Sequence, residues 1–469
     1  MTFWNRRKSL DALAGQHPHH GLHRTLGWPH LVAMGVGAIV GTGIYTLTGI
    51  GAGLAGPGVI LSFAIAGLVC ACAALAYAEL ATLIPAAGSA YTYSYAVLGE
   101  GLAWIVGWSL ILEYTVVCSA VAVGWSGYMA GFLDWLGLPL SPALLAGPHG
   151  GGIINLPAVL ISLAVAGLLM LGTRESATVN FALVLVKLAA LALFIVLALP
   201  AFDPDRFQPF MPYGFASVDA EGVKRGVMPA AALIFFAFYG FDAISTAAEE
   251  ARDPGRDLKI GIIGSMLICT LLYMLVAAAG LGAVPFAEMA ASSEPLAFVL
   301  KSLDHPLAAN LIAWAAILAL PTVILVFMYG QSRIFFVMGR DGLLPSALAR
   351  INSRTGTPTL VTGVTGVVVA VIAGLLPLKE IAELANAGTL VAFVAVGTCL
   401  LVLRRREPAR PRLFRAPAAW LIGPLAIAGC LYLFVSLPTA TIVRFLIWNV
   451  VGLAVYLAYS ARASHLNAR

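Results

Sequence analysis

The sequence predicts an all-α polytopic membrane protein with twelve transmembrane helices: two five-helix halves of opposite orientation, then two more helices. Three observations predict it. Of 469 residues, 60% are hydrophobic and only 10% charged, at a mean hydropathy of +0.93, whereas a soluble domain carries roughly 25% charged residues. Twelve apolar runs come close to or exceed the length that crosses a bilayer as a helix, about 20 residues. Two of those runs, the first of each half, are interrupted by glycine, as in helices that open around a transported solute. No stretch is polar for long enough to form an independent aqueous domain.

The elements follow in order. Residues 1–27 form a basic, His-rich tail ("NRRKSLDALAGQHPHHGLHR") without the small-residue cleavage site of a signal peptide. His17, His19, His20 and His23 are read as part of that tail rather than as a metal site. Residues 28–199 hold spans at 31–55, 57–83, 101–132, 153–171 and 175–199, and residues 200–225 an outer loop. Residues 226–403 hold spans at 227–250, 260–283, 309–338, 358–376 and 380–403. A basic loop (404–416), two final spans within 417–460 (417–437 and 440–460) and a tail (461–469) complete the chain. Pro/Gly punctuation at "AGPG" and "SLPTA" separates neighbouring spans. "GSAYTYSYAVLGE" (88–100) suits a short helix on the inner interface, and "VPFAEMAASSEPLAFVL" (284–300) a lid over an outer entrance; ordinary connecting helices are the alternative for both.

Basic residues set the orientation, because Lys- and Arg-rich loops stay cytoplasmic. With the N-terminus inside, 20 of the 27 Lys and Arg are cytoplasmic. Arg206, Lys224, Arg225, Lys301, Lys379 and Arg444 fall outside, and Lys187 lies within a span. Both termini are therefore expected in the cytoplasm.

The first span contains "GVGAIVGTGIYTLTG" (35–49), and the sixth reads "PAAALIFFAFYGFDAISTAAEE" (229–250). A helix that unwinds at Gly41-Thr42-Gly43 frees N–H groups at one half-helix and carbonyls at the other. The N–H groups and the positive dipole end attract a carboxylate. The carbonyls, with those near Tyr239, attract an ammonium. A zwitterion carrying both groups on one carbon replaces the missing backbone partners, and glycine lets it approach closely. The competing explanation is close helix packing through the GxxxG face of Gly37 and Gly41.

Ionisable groups within spans are few and therefore informative. Lys187 sits mid-span in "NFALVLVKLAALALFIVLALP". A lysine held there is expected to bind and release a proton as transport proceeds; a static post between spans 1 and 5 is the plainer role. Glu113 and Asp242 are expected to face the cavity, as partners of Lys187 or contacts to a cationic side chain, with backbone capping the alternative. Glu79 reads as a structural contact at the inner end of span 2. Glu249, Glu250, Arg252 and Asp253 after span 6 could close the inner side against Arg333, Arg340 and Asp341 after span 8. The six cysteines all fall in apolar runs and read as small buried hydrophobes.

Four signatures in register, "GVGAIVGTGIYTLTG", "YAELATLIPAAGSAYTYSY", "FFAFYGFDAISTAAEEARDPGRDLKIGI" and "YGQSRIFFVMGRDGLLP", resemble the amino acid–polyamine–organocation (APC) superfamily, and within it the bacterial relatives of cationic amino acid transporters. The resemblance implies a LeuT-like fold working by alternating access, in a bacterial inner membrane. It implies that Thr42 and Gly43, with Gly41, bind the substrate carboxylate, and that Ile39 offers a carbonyl to its amino group. In span 6 it implies that Phe236, Ala237 and Tyr239 complete and gate the pocket. Proton-coupled relatives carry a lysine in span 5, which matches Lys187. Val323, Phe327 and Met328 in span 8 are expected to form the far wall and to favour small neutral side chains.

Other classes are excluded on residues. No HExxH, GxSxG or paired-Asp pattern supports an enzyme, few polar residues line the spans as a channel requires, and no P-loop supports ATP drive. An amino acid/amine exchanger of the same superfamily is the remaining rival. No cofactor or metal is expected, with H+ as coupling ion. The expected partners are an amino acid and the lipid bilayer, with no nucleic acid. A monomer is expected, with a small membrane-protein subunit left open.

Overall fold

The computed structural model describes residues 3–10, 26–84, 88–172, 177–220, 222–246, 251–350, 352 and 358–468. The tail histidines, Arg174, Glu249 and Glu250 lie outside these residues.

Helix α1 runs Trp28–Ile39, with Pro29 in its first turn, where a missing N–H is harmless. It stops at Val40, whose ψ of 92° is extended. Winding resumes at Thr42, passes through a wide turn at Gly43–Leu47 and continues as α2, Thr48–Ala55. The interruption is thus at Val40-Gly41, just before the expected Gly41-Thr42-Gly43. A tight turn with Gly56 at φ +62° leads to α3, Val59–Leu83. Then come α4, Ser89–Val97, and α5, Glu100–Trp135. At 1.5 Å per residue α5 is about 54 Å long, far beyond the ~30 Å hydrocarbon layer. Helix α6, Leu156–Met170, is capped by Asn155, whose side chain accepts from the Ala158 amide; α7 is Ala177–Ala198.

A short antiparallel ribbon, β1 (Ser217–Val218) with β2 (Lys224–Arg225), precedes the second half. There α8, Val227–Ile234, tightens into a 3-10 turn at Phe235–Phe238. The chain then turns extended at Tyr239 (ψ 153°), passes Gly240 at φ +109° and re-enters a helix as α9, Phe241–Thr246. Helix α10, Pro254–Ala283, is capped by Asp253. Two short helices, α11 (Phe286–Ala291) and α12 (Pro295–Ser302), lead to α13, Pro306–Arg340. The rest are α14 (Thr359–Leu375), α15 (Leu378–Arg406), α16 (Ala419–Ser436) and α17 (Thr439–Val455).

Among the described residues, eight segments are long and apolar enough to cross a membrane, and four shorter apolar helices accompany them. Helix α5 is central, packed along α13, α15, α4, α6 and α14, while α10 lies against α1 and α3. Large apolar side chains cover the outside: Leu160, Val196, Leu267, Leu311 and Val450 are each more than half exposed. A water-soluble surface does not tolerate so wide an apolar band; a lipid-facing one requires it.

One expectation is corrected. Helix α4 is not a half-exposed interfacial helix: all nine of its residues are buried, because it packs between α5 and α15. Its tyrosines find polar partners inside, Tyr91 on Asp341 and Tyr95 on Glu100. In contrast, the 284–300 segment folds as α11 and α12 against α2. A Cβ at Gly49 would meet the Met289 carbonyl at 2.8 Å, and one at Gly53 the Ala290 methyl at 3.0 Å.

Candidate functional site

The two interrupted helices meet backbone to backbone. A Cβ on Gly43 would overlap the main chain of Ala237, and one on Gly240 would fall on Ala38. Only glycine fits either contact, and Gly240 also needs its positive φ.

The first interruption reassigns its carbonyls. The last cap bond of α1 is Val40 N–H to Val36 O at 2.8 Å, and bonding resumes with Ile44 and Tyr45, both donating to Gly41 O. The Gly37 carbonyl, whose helical partner would be the amide of Gly41 beyond the end of α1, accepts from Lys187 Nζ at 2.7 Å. The Ile39 carbonyl accepts the Tyr273 hydroxyl at 2.8 Å, and Tyr45 O accepts Tyr128 at 2.6 Å. Ile39 therefore keeps one lone pair for a ligand rather than a free carbonyl. Thr42 is fully buried, with its methyl against Gly124, and its hydroxyl has no hydrogen-bond partner among the described residues.

The second interruption is held from α15. Asn386 donates to Ala232 O at 2.6 Å and Leu233 O at 2.9 Å, and accepts from the Tyr239 hydroxyl. Phe236 packs on the Tyr239 ring. From α13, Val323 lies over Gly41, 3.5 Å from where a Cβ would be. Phe327 meets Tyr114 edge-on, and Tyr114 donates to Asp242 Oδ2 at 3.1 Å. Glu113, one residue before Tyr114, is buried beside Asp242. Its Oε2 has no hydrogen-bond partner among the described residues. Phe236, Ala237, Tyr239, Val323 and Phe327 are all at most 4% exposed, and Lys187 1%. The whole constellation is sealed from solvent.

A family profile described as "Amino acid permease" matches residues 26–458. The chain belongs to the amino acid permease family. The permease is similar to the branched-chain amino acid permease BcaP of Bacillus subtilis (46% identical over 467 residues, 98% of each chain). It is also similar to the methylthioribose transporter of the same organism (40%, all of both chains). The vacuolar cationic amino acid transporter 2 of Arabidopsis thaliana matches at 39% over 86% of this chain and 63% of its own. These relatives are transporters rather than enzymes. The permease is a multi-pass membrane protein of the APC superfamily.

Other charged residues lie away from the two interruptions. Glu79 is gripped by Arg404 (2.5 and 2.8 Å), Arg412 (2.9 Å) and the Ala416 amide (2.8 Å), which ties α3 to α15 and the 404–416 loop. Asp341 has Lys8 and Tyr91 as partners, both at 2.6 Å. Arg333 and Arg340 lie over Tyr329 and Phe336 and Asp253 caps α10, while Glu249 and Glu250, their expected partners, lie outside the described residues. All six cysteines are buried free thiols. Sequence reasoning missed Asn386, Tyr273 and Tyr128. Asn386 carried a readable signal, an amide within an apolar span.

Proposed function

We propose that the permease is a proton-coupled symporter of neutral aliphatic amino acids in a bacterial plasma membrane. It would work by alternating access in a twelve-crossing LeuT-like fold with two inverted five-helix halves and cytoplasmic termini. The observation that carries the reading is the backbone contact of two interrupted helices, Gly43 on Ala237 and Gly240 on Ala38. The buried Thr42 hydroxyl, without a hydrogen-bond partner among the described residues, supports a carboxylate site at the start of the resumed helix. The remaining lone pair of Ile39 O and carbonyls near Phe236 and Ala237 would take the ammonium. Val323 and Phe327 give the side chain an apolar wall, in keeping with a relative that carries branched-chain amino acids.

Lys187 supplies the coupling. Protonated, it holds α1 through the Gly37 carbonyl; deprotonated, the amine binds that carbonyl far less strongly, because a charge-assisted hydrogen bond is about twice as strong as a neutral one. Proton release would therefore free α1 and favour the opposite opening. The rival, exchange of an amino acid for its amine, leaves Lys187 without a task.

Purified protein in liposomes tests this. Under an inward proton gradient leucine or alanine should accumulate, without sodium, and arginine and methylthioribose should compete poorly. Accumulation indifferent to the gradient would reject symport, and arginine competing as well as leucine would reject the substrate class.

A further inference from the structure

Asn386 spends its entire carboxamide on the broken helix. It is fully buried on α15. Both Nδ2 hydrogens go to the last turn of α8, at Ala232 O and Leu233 O, and Oδ1 takes the Tyr239 hydroxyl across the gap. The carbonyls are available because winding tightens at Phe235–Phe238 before the chain leaves the helix, and terminal carbonyls need outside partners. One side chain therefore fixes both the end of α8 and the ring beside the interruption. Thr389, one turn further along α15, turns its hydroxyl to its own helix, donating to Ala385 O at 3.3 Å, and so leaves Tyr239 to Asn386.

We propose that Asn386 is a positioning residue for transport, and that its bond to Tyr239 sets how readily the gap at 239–240 closes on the substrate. The proposal rests on Tyr239 lining the substrate site. In surroundings without water, the Tyr239 hydroxyl cannot move unless another acceptor replaces Asn386. The bond acts on closure and not on first capture of the solute. Loss of the bond therefore slows turnover while barely changing half-saturation.

The test is a double-mutant cycle of Asn386→Ala and Tyr239→Phe, read by counterflow in liposomes. Tyr239→Phe removes one oxygen and leaves the grip on α8 intact, so it reports on the bond even where Asn386→Ala does not fold. Tyr239→Phe should lower turnover about ten-fold, the weight of one buried hydrogen bond, with half-saturation moved less than about two-fold. Added to Asn386→Ala, it should lower turnover no further. A silent Tyr239→Phe, or losses that multiply, would reduce Asn386 to a structural pin and overturn the proposal. Absence of amino acid counterflow in the wild type would instead strike the functional reading itself.

Discussion

Two side chains carry the functional reading at the scale of single residues, and each can be separated from folding. Thr42 is fully buried, yet its hydroxyl meets no protein acceptor or donor among the described residues. Thr42→Val keeps the shape and deletes only that hydroxyl, so thermal stability should hold or rise. If the hydroxyl serves the substrate carboxylate, half-saturation should rise roughly ten- to a hundred-fold, as for a hydrogen bond to a charged group. Unchanged half-saturation would remove Thr42 from the site. Lys187 differs, because its ammonium is bonded to Gly37 O in the fold. Lys187→Ala should abolish accumulation driven by a pH gradient while counterflow persists. Proton-driven uptake surviving the change would leave Lys187 a static post.

Elements were legible in the sequence to the degree that local chemistry dictated them. Each predicted span holds a helix in the described residues, because length and apolarity decide that, while its ends and breaks do not always fall where expected. Both interruptions were visible, since glycine at Gly43 and Gly240 is demanded by backbone contact. What failed was whatever depends on a distant partner. The burial of α4 requires α5 and α15 around it, and Asn386 matters only because α8 ends beside it. The segment of α11 and α12 holds a consequence of the same kind. Glu294 seats against Gly131 of α5 and pairs with Lys301 at 2.5 Å. Burial pushes its carboxyl above the usual range, with Asp134 adding to the shift and Lys301 opposing it. A carboxyl whose pKa is higher when seated prefers that seat protonated. Seating is thus favoured at acid pH and weakens as pH rises through the raised value. Hydrogen exchange across 286–302, corrected for intrinsic rates, should slow on acidification in the wild type. Glu294→Gln should abolish that dependence, and a dependence that persists would show that another group controls how this segment seats.

Over the whole molecule, the sealed site lies between closures at opposite ends. At one end α11 and α12 lie on α2 and α5. At the other, residues 3–10 bring together pieces from across the chain. Lys8 pairs with Asp341 at the end of α13, Tyr91 of α4 bonds to the same carboxylate, and Arg6 O receives the Glu100 amide at 2.8 Å. Glu100 in turn holds Tyr95, Tyr456 and Ser464. A carboxylate at Asp341 thus joins the N-terminal segment, α4 and α13, so alternating access as proposed would require these three parts to separate when this end opens. Asp341→Ala leaves the buried Tyr91 hydroxyl without that acceptor, a loss of about 1–3 kcal/mol. The partly exposed ion pair adds about 0–1 kcal/mol. The balance between closed and open should shift toward opening at this end roughly ten- to several-hundred-fold. Hydrogen exchange should quicken over residues 3–10 and 89–97 and stay unchanged in α11 and α12. Asp341→Asn, which keeps an acceptor for Tyr91 but not the charge, should give a small part of the effect. Equal exchange in all three proteins would mean that this end is held by packing, of Trp4 on Gly101 and Tyr456 above all, and that Asp341 has no part in closing it.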